Sequence, residues 1–425
     1  MPMRVLMISL SLPPYAESQT IRSAYWIEAL AQQGVEFDLI TAEVPPSAAD
    51  ETLCELIPPS VRVWRTPIPS YDRTVDALRR AGKRWLLYVY SNLAYRLYAP
   101  DARRGWERAA LRLALEVIHK RSPDLILSAS GSCTAHLAAA ALKRETGLPW
   151  AADLGDPWAW VDWQHWDTWL KAIQNRWLER RTLPQADLLI WTTEAARRAY
   201  HERWYSNLPL GIVVPYGYRE ADFVNRLSYA PLPVRLSYVG AASRRARNLI
   251  PLLQALAVAS LRLPLRFQVV GETSAHFQDA AHRLRLQCVE FVGRVSYRDS
   301  VRYICEAGIL VLVGNRSPYQ IPGKTFLYLA SGRPILYLQQ TAPAEDPTLQ
   351  LLQSFAGVRW VPNDVDALRV FFASLTESEF RQWEQQAQYH PHQPELKRFE
   401  QTTIAQSLKA TLSKIARGSR CSPLE

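Results

Sequence analysis

A chain of 425 residues, 48% apolar and 21% charged, is too long for one ordinary core and too apolar to be disordered, so two globular domains are expected. A formal charge of +10 and a pI near 9.4 favour anionic partners: nucleotides, phospholipid surfaces or nucleic acid. Cys54, Cys133, Cys288, Cys305 and Cys421 show no CxxC spacing, which argues against a disulfide framework or zinc ribbon and points to a reducing compartment.

No apolar run reaches the ~20 residues that span a bilayer, so the expected location is cytoplasmic. Strands and helices alternate through the first half. A buried strand is predicted over residues 4–10. Arg4 and the apolar run after it imitate a signal peptide, but a well-formed helix pattern follows at once. Ile21, Ala24, Ile27 and Leu30 recur at helical spacing, and Gly34 closes that helix. Further strands are predicted over 37–41, 61–64, 124–127, 150–153, 187–191 and 212–214, with helices between them, notably 134–144 and 166–181. This alternation predicts a parallel, doubly wound α/β sheet. The rhythm breaks at Pro215-Tyr-Gly-Tyr218, where a domain boundary is expected.

The second half restarts the cycle, with strands over 236–239, 266–270, 289–292, 309–313 and 335–338 and a helix over 247–260. Ser296 and Asp299 resemble a capping box for the helix carrying Val301 and Ile304. The remainder reads as helical, ending in a long amphipathic stretch over 395–416. The expected division is 1–217, 218–394, and a C-terminal helix with its tail, 395–425, packing back on the first domain. Two Rossmann-like domains in series leave a cleft at their strand C-termini, where such folds bind ligands. No GxGxxG follows the first strand of either half, so a dinucleotide oxidoreductase is not expected.

Ile321-Pro-Gly-Lys324, running into Ser331-Gly-Arg-Pro334, is the most informative segment. Pro322 suits a first helical turn, Gly332 an αL stop, and Pro334 blocks continuation. A helix start beyond a strand end is an anion site, because its first N–H groups lack partners, and Lys324 adds a full positive charge. A cradle for a phosphorylated ligand is expected there.

Several segments together resemble the retaining GT-B glycosyltransferases, family four in particular. They are Leu12-Pro-Pro14 after the first strand, Leu148-Pro-Trp-Ala-Ala-Asp-Leu-Gly-Asp-Pro-Trp158, Val214-Pro-Tyr-Gly-Tyr-Arg-Glu-Ala-Asp-Phe223, Tyr238-Val-Gly-Ala241 and the Lys324 segment, in that order. The resemblance implies two Rossmann-like domains facing across a cleft, and sugar transfer from a nucleotide diphosphate without a metal or other cofactor. The acceptor it implies is a lipid-linked or polysaccharide glycan. Side-chain cations and helix dipoles must then neutralise the departing diphosphate. Lys324 is one such cation by resemblance; the other lies after Gly240 among Arg244, Arg245 and Arg247, with Arg247 favoured over a merely solvated helix entry. The implied donor site draws on Gly240, Arg244, Arg247, Arg294, Pro322, Gly323, Lys324 and Thr325. Asp156 is implied to contact the transferred sugar, the alternative being an N-cap for a helix after Pro157. His136 is implied to face the cleft, the alternative being a structural hydrogen-bonder.

The chain departs from the family at four places. Leu327 and Tyr319 stand where glutamates are usual, Gly155 replaces an arginine, and Ala16-Glu-Ser-Gln19 stands where the broader family commonly has paired glycines. Leucine cannot accept hydrogen bonds from a ribose, a loss of ~1.5–3 kcal/mol. A GT-B protein without catalysis, serving as a scaffold partner, is therefore the second reading. Between Arg73 and Arg104, Arg79, Arg80, Lys83, Arg84 and Arg96 interleave with aromatics. That mixture suits peripheral binding to an anionic membrane, or else core-packing helices with basic outer faces. Nucleic acid is not an expected partner, since the arginines are dispersed and no nucleic-acid module is present.

Overall fold

The computed structural model describes residues 2–160, 169–227, 229–243, 246–259, 261–389 and 393–418. The chain divides into two compact units, 1–215 with 401–425, and 216–400.

The first unit is built on seven strands: β1 (Arg4–Ile8), β2 (Glu36–Ala42), β3 (Arg62–Thr66), β4 (Leu125–Ala129), β5 (Trp150–Leu154), β6 (Leu188–Trp191) and β7 (Gly211–Val213). All neighbours pair in parallel, in the order β3-β2-β1-β4-β5-β6-β7. The central strands are buried along their whole length, which is why they read as unbroken apolar runs. Its helices are α1 (Ser18–Gln32), α2 (Ser70–Arg80), α3 (Arg84–Leu97), α4 (Trp106–Lys120), α5 (Thr134–Thr146), α6 (Trp169–Thr182) and α7 (Glu194–Arg198). The part of the expected 166–181 helix before residue 169 lies outside the described residues.

In the second unit β8 (Val234–Val239), β9 (Leu265–Val270), β10 (Val289–Gly293), β11 (Ile309–Val313), β12 (Ile335–Gln339) and β13 (Val358–Pro362) form a parallel sheet in the order β10-β9-β8-β11-β12-β13. Its helices are α8 (Ile250–Val258), α9 (Ala275–Arg283), α10 (Tyr297–Cys305), α11 (Lys324–Ser331), α12 (Pro347–Leu352), α13 (Val365–Ser374), α14 (Glu377–Ala387) and α15 (Pro394–Lys397). The chain then returns to the first unit as α16 (Gln401–Ala416). There, one face of the sheet, with Val5, Met7 and Leu127, packs with Trp26 and Leu30 of α1 and Ile404, Leu408 and Leu412 of α16. Alternate residues of a strand share a face, so Leu6 and Ile8 point to the other side.

Three expectations need correction. β13 is a strand where only helix was expected, because Arg359 and Pro362 break its apolar run; it is partly exposed at the sheet edge, where a proline is tolerated. The amphipathic stretch over 395–416 is two helices: at the break, Tyr218 N–H bonds the Phe399 carbonyl at 3.0 Å. The helix expected from 247 begins at Ile250, with Pro251 in its first turn, so Arg247 sits in the turn before it.

Each sheet reverses its direction of growth beside its first strand, between β1 and β4 and between β8 and β11. Ligands of open α/β sheets bind in the crevice at such points, beyond the strand C-termini.

Candidate functional site

In the second unit, β8 and β9 end in Gly240 (φ +128°) and Gly271 (φ +127°), backbone conformations that side chains rarely adopt. A Cβ on Gly271 would lie 2.5 Å from the Gly240 oxygen, and one on Gly240 would lie 3.1 Å from Lys324 Nζ. The glycine at 240 therefore leaves room for an ammonium against the end of the strand.

Lys324 opens α11, and its Nζ donates to the Val239 carbonyl at 2.9 Å while lying 3.6 Å from the centroid of the Tyr238 ring. One turn later, Tyr328 receives the Val239 N–H at 2.9 Å through its hydroxyl, tying α11 to the same strand end. A side chain on Gly323 would collide with the Tyr216 ring at 2.9 Å, which accounts for the glycine before Lys324.

Arg247 is the neighbouring cation. Its positive charge acts on Lys324, Tyr238 and Tyr328, and its Nε is buried without a partner. Among the described residues, no carboxylate pairs with Lys324 or Arg247. Burial first, and then Arg247, holds the Lys324 ammonium well below the usual lysine range. Lys324 and Arg247 are thus two half-buried cations without a carboxylate partner, beside a switch point and a helix start, where backbone N–H groups also favour negative charge.

Two residues that the sequence did not flag, just past the C-terminal ends of β12 and β13, hold the Arg247 turn. Gln340 Nε2 donates to the Ala246 carbonyl at 2.9 Å, and Asn363 Nδ2 donates to the Asn248 carbonyl at 2.9 Å. Only a tertiary fold brings these positions together, so no local spacing could have shown them.

The structure thus brings together Gly240, Arg247, Pro322, Gly323, Lys324 and Thr325. Thr325 is fully buried, with an unpartnered hydroxyl. Arg294 is exposed just past β10, two strands from β8, at the same end of the sheet. Arg244 and Arg245 lie outside the described residues. Leu327, where the family places glutamate, is buried at 8% exposure.

At the switch point of the first unit, Gly131 after β4 packs so closely on the β1 loop that a Cβ would overlap Ser11 Oγ and Glu17 Oε1. Ser11 Oγ donates to Glu17, and burial pushes the Glu17 carboxyl upward. Asp156 is exposed just past β5, and its charge also raises Glu17. No helix begins over 157–160, so an N-cap role there is not what the described residues show.

The segment after Asp156 is instead pinned from α6 and its neighbours. Trp158 N–H donates to the Tyr200 hydroxyl at 2.8 Å, Ala159 N–H to Glu179 Oε1 at 3.1 Å, and Trp158 Nε1 to Asn175 Oδ1 at 3.0 Å. Glu179 is fully buried, and desolvation pushes its carboxyl up to about 7. A glutamate whose folded pKa is raised above 4.5 contributes stability below that value and loses it as pH rises towards 7. Glu179→Gln is therefore expected to flatten the fall in melting temperature between pH 5 and 8, measured by thermal denaturation; an unchanged slope would rule Glu179 out as its source.

The expectation for His136 needs correction. It is fully buried between Trp150 and Trp158, and its Nδ1 shares a 2.8 Å hydrogen bond with Ser128 Oγ. Desolvation pushes it down to about 3, so it is a neutral core residue rather than a group facing a ligand.

Two parallel-sheet α/β units in series, the second with Lys324 and Arg247 at its switch point, give the chain a GT-B fold. The model of the glycosyl transferase 4-like domain family matches residues 19–217. The fold is similar to that of sucrose-phosphate synthase from Thermosynechococcus elongatus (TM-score 0.68, 17% identity, 98% of this chain and 100% of that one). It is also similar to Anabaena HepE in complex with UDP and glucose (TM-score 0.62, 15% identity, 97% and 100%). A third likeness is to the Escherichia coli trehalose-6-phosphate protein bound with UDP-2-fluoro glucose (TM-score 0.63, 12% identity, 97% and 99%). No curated protein sequence matches the chain significantly. Among the described residues, no helix is long and apolar enough to cross a membrane.

Proposed function

We propose that the protein is a retaining glycosyltransferase that moves a sugar from a nucleotide diphosphate to a lipid-linked or polysaccharide acceptor. The Lys324–Arg247 pair carries this reading: two unpaired cations at the β8/β11 crevice suit a diphosphate. In the reaction, the bond between the anomeric carbon and the diphosphate oxygen breaks. A bond from that carbon to the acceptor oxygen forms on the same face, and the acceptor proton passes to the departing phosphate. Lys324 and Arg247 stabilise the charge that develops on that phosphate, as fixed donors do in a water-poor site. Asp156 contributes a carboxylate towards the sugar hydroxyls. Gly240, Pro322, Gly323 and Thr325 supply the close backbone approach, and Arg294 lies at the rim. HepE is seen in complex with UDP and glucose and the Escherichia coli protein with UDP-2-fluoro glucose, which supports a uridine nucleotide as the first donor to try.

The test is a thermal-shift series with UDP, GDP and ADP, followed by turnover of the matching nucleotide sugars. A ligand bound by the folded protein alone raises its melting temperature, by ~2.7 kcal/mol of stability at 100 Kd. Absence of any shift at millimolar nucleotide would overturn the reading. Binding should also take up a proton, because a diphosphate favours the charged form that burial disfavours in Lys324. Calorimetry in two buffers of different ionisation enthalpy should then give different heats above the depressed lysine pKa; equal heats across the pH range would show an already charged amine.

The buried Leu327 favours a second reading, a scaffold protein that has lost turnover. Leu327→Glu separates the two: a weakened enzyme gains roughly 10- to 100-fold in donor affinity, whereas a scaffold gains no turnover.

A further inference from the structure

The amphipathic order of α6 is inverted. Lys171, Asn175 and Glu179, spaced every four residues, are buried at 2%, 0% and 0% exposure. Trp169, Leu170, Ile173 and Trp177 are exposed at 75%, 51%, 51% and 55%. A soluble helix normally turns its apolar stripe inward, so this face has chemistry the fold does not use. The inward polar face holds the segment after Asp156 through Asn175 and Glu179.

A second helix repeats the pattern beside it. On α3, Trp85, Val89, Leu93 and Leu97 stand four residues apart and are 70%, 42%, 53% and 63% exposed, with Tyr88 at 69%. The two helices meet where Lys171 Nζ lies 3.7 Å from the Tyr95 ring centroid. Charge says what covers these faces. Residues 83–98 contain Lys83, Arg84 and Arg96 and no acid. Residues 169–182 add Arg176, Arg180 and Arg181, and their one acid is the buried Glu179.

We infer that α3 and α6 together form a docking surface for an anionic lipid bilayer, with α6 linking the bilayer to the segment behind Asp156. Exposed tryptophan and tyrosine rings among basic side chains fit the headgroup boundary, where the rings sit at the interface and the cations meet lipid phosphates. This deepens the reading of a lipid-linked acceptor and rests on it only for the role of Asp156; the docking itself stands on the two helices.

The experiment is sedimentation of the full chain with vesicles of phosphatidylcholine alone or with 30% phosphatidylglycerol, at low and high salt. Wild type is expected to sediment with the anionic vesicles and to be released by salt. Trp169→Ser with Trp177→Ser, and separately Trp85→Ser with Leu93→Ser, are each expected to weaken binding about tenfold or more. The side chains are exposed, so the melting temperature and the nucleotide-induced shift serve as folding controls; a retained nucleotide shift with no vesicle binding sinks the docking and leaves the transferase standing. Vesicle binding that survives the α6 changes overturns the two-helix surface. So does equal sedimentation with neutral vesicles, or a concentration-dependent dimer in light scattering that the same changes abolish.

Discussion

Lys324→Met is expected to abolish the nucleotide-induced rise in melting temperature and, at the same time, to make the ligand-free protein more stable. The first effect follows from removing one of two cations that no carboxylate neutralises. A hydrogen bond to a charged group contributes ~1.5–3 kcal/mol to binding, and losing a preorganised donor at a developing charge typically costs ~10²–10³ in kcat. The second follows from the same geometry. Burial and Arg247 depress the lysine pKa in the folded protein relative to the unfolded chain. Below the folded pKa the native state must hold a charge that its surroundings disfavour, and this penalty is relieved as pH rises through that pKa. Methionine keeps the aliphatic stem and removes the penalty, so the variant should also lose this component of the pH dependence. Paired scans of both proteins with and without UDP, between pH 6 and 9, check all of it. A less stable variant that still responds to nucleotide would show that Lys324 is a packing residue.

Asp153→Ala should be among the most destabilising single changes in the first unit. Arg22 and Asp153 form an ion pair at 2.9 Å with 0% and 1% of their side chains exposed. Gln19 donates to the same carboxylate at 2.9 Å, and the guanidinium also donates to the Val214 and Pro215 carbonyls at 2.8 Å. Removing one partner leaves an uncompensated buried charge, which costs ~3–5 kcal/mol. That is a large share of the ~5–15 kcal/mol by which a typical domain is stable. The double change Asp153→Leu with Arg22→Met should recover part of the loss but not all, because the two carbonyls lose their donor. Urea denaturation of the wild type and the two variants measures this; a loss below about 1 kcal/mol in Asp153→Ala would place the pair outside the cooperative core.

The sequence revealed the parallel strands because burial on both faces writes them as unbroken apolar runs, and it missed β13 because Arg359 and Pro362 interrupt the run of a partly exposed edge strand. The stretch from Pro322 to Lys324 was legible for a local reason: a proline, a glycine and a cation in successive positions describe a helix start and its charge. Partners drawn from other strands were not legible. Nothing in the spacing of Gln340 or Asn363 says that they hold the turn of Arg247. His136 misled for the converse reason: its place beyond a strand end suggested a ligand, while Trp150, Trp158 and Ser128 close around it. On α6, a reading that places apolar residues inward assigns the two faces the wrong way round.

The interrupted first unit has a consequence for how the protein is made. α1 buries its stripe against α16, but every residue of 216–400 leaves the ribosome before α16 exists. The inserted unit starts and finishes at adjacent backbone, since Tyr218 bridges Glu400. It can therefore complete its own sheet during translation while the surrounding sheet waits, one face only partly covered by α1, for its last helix.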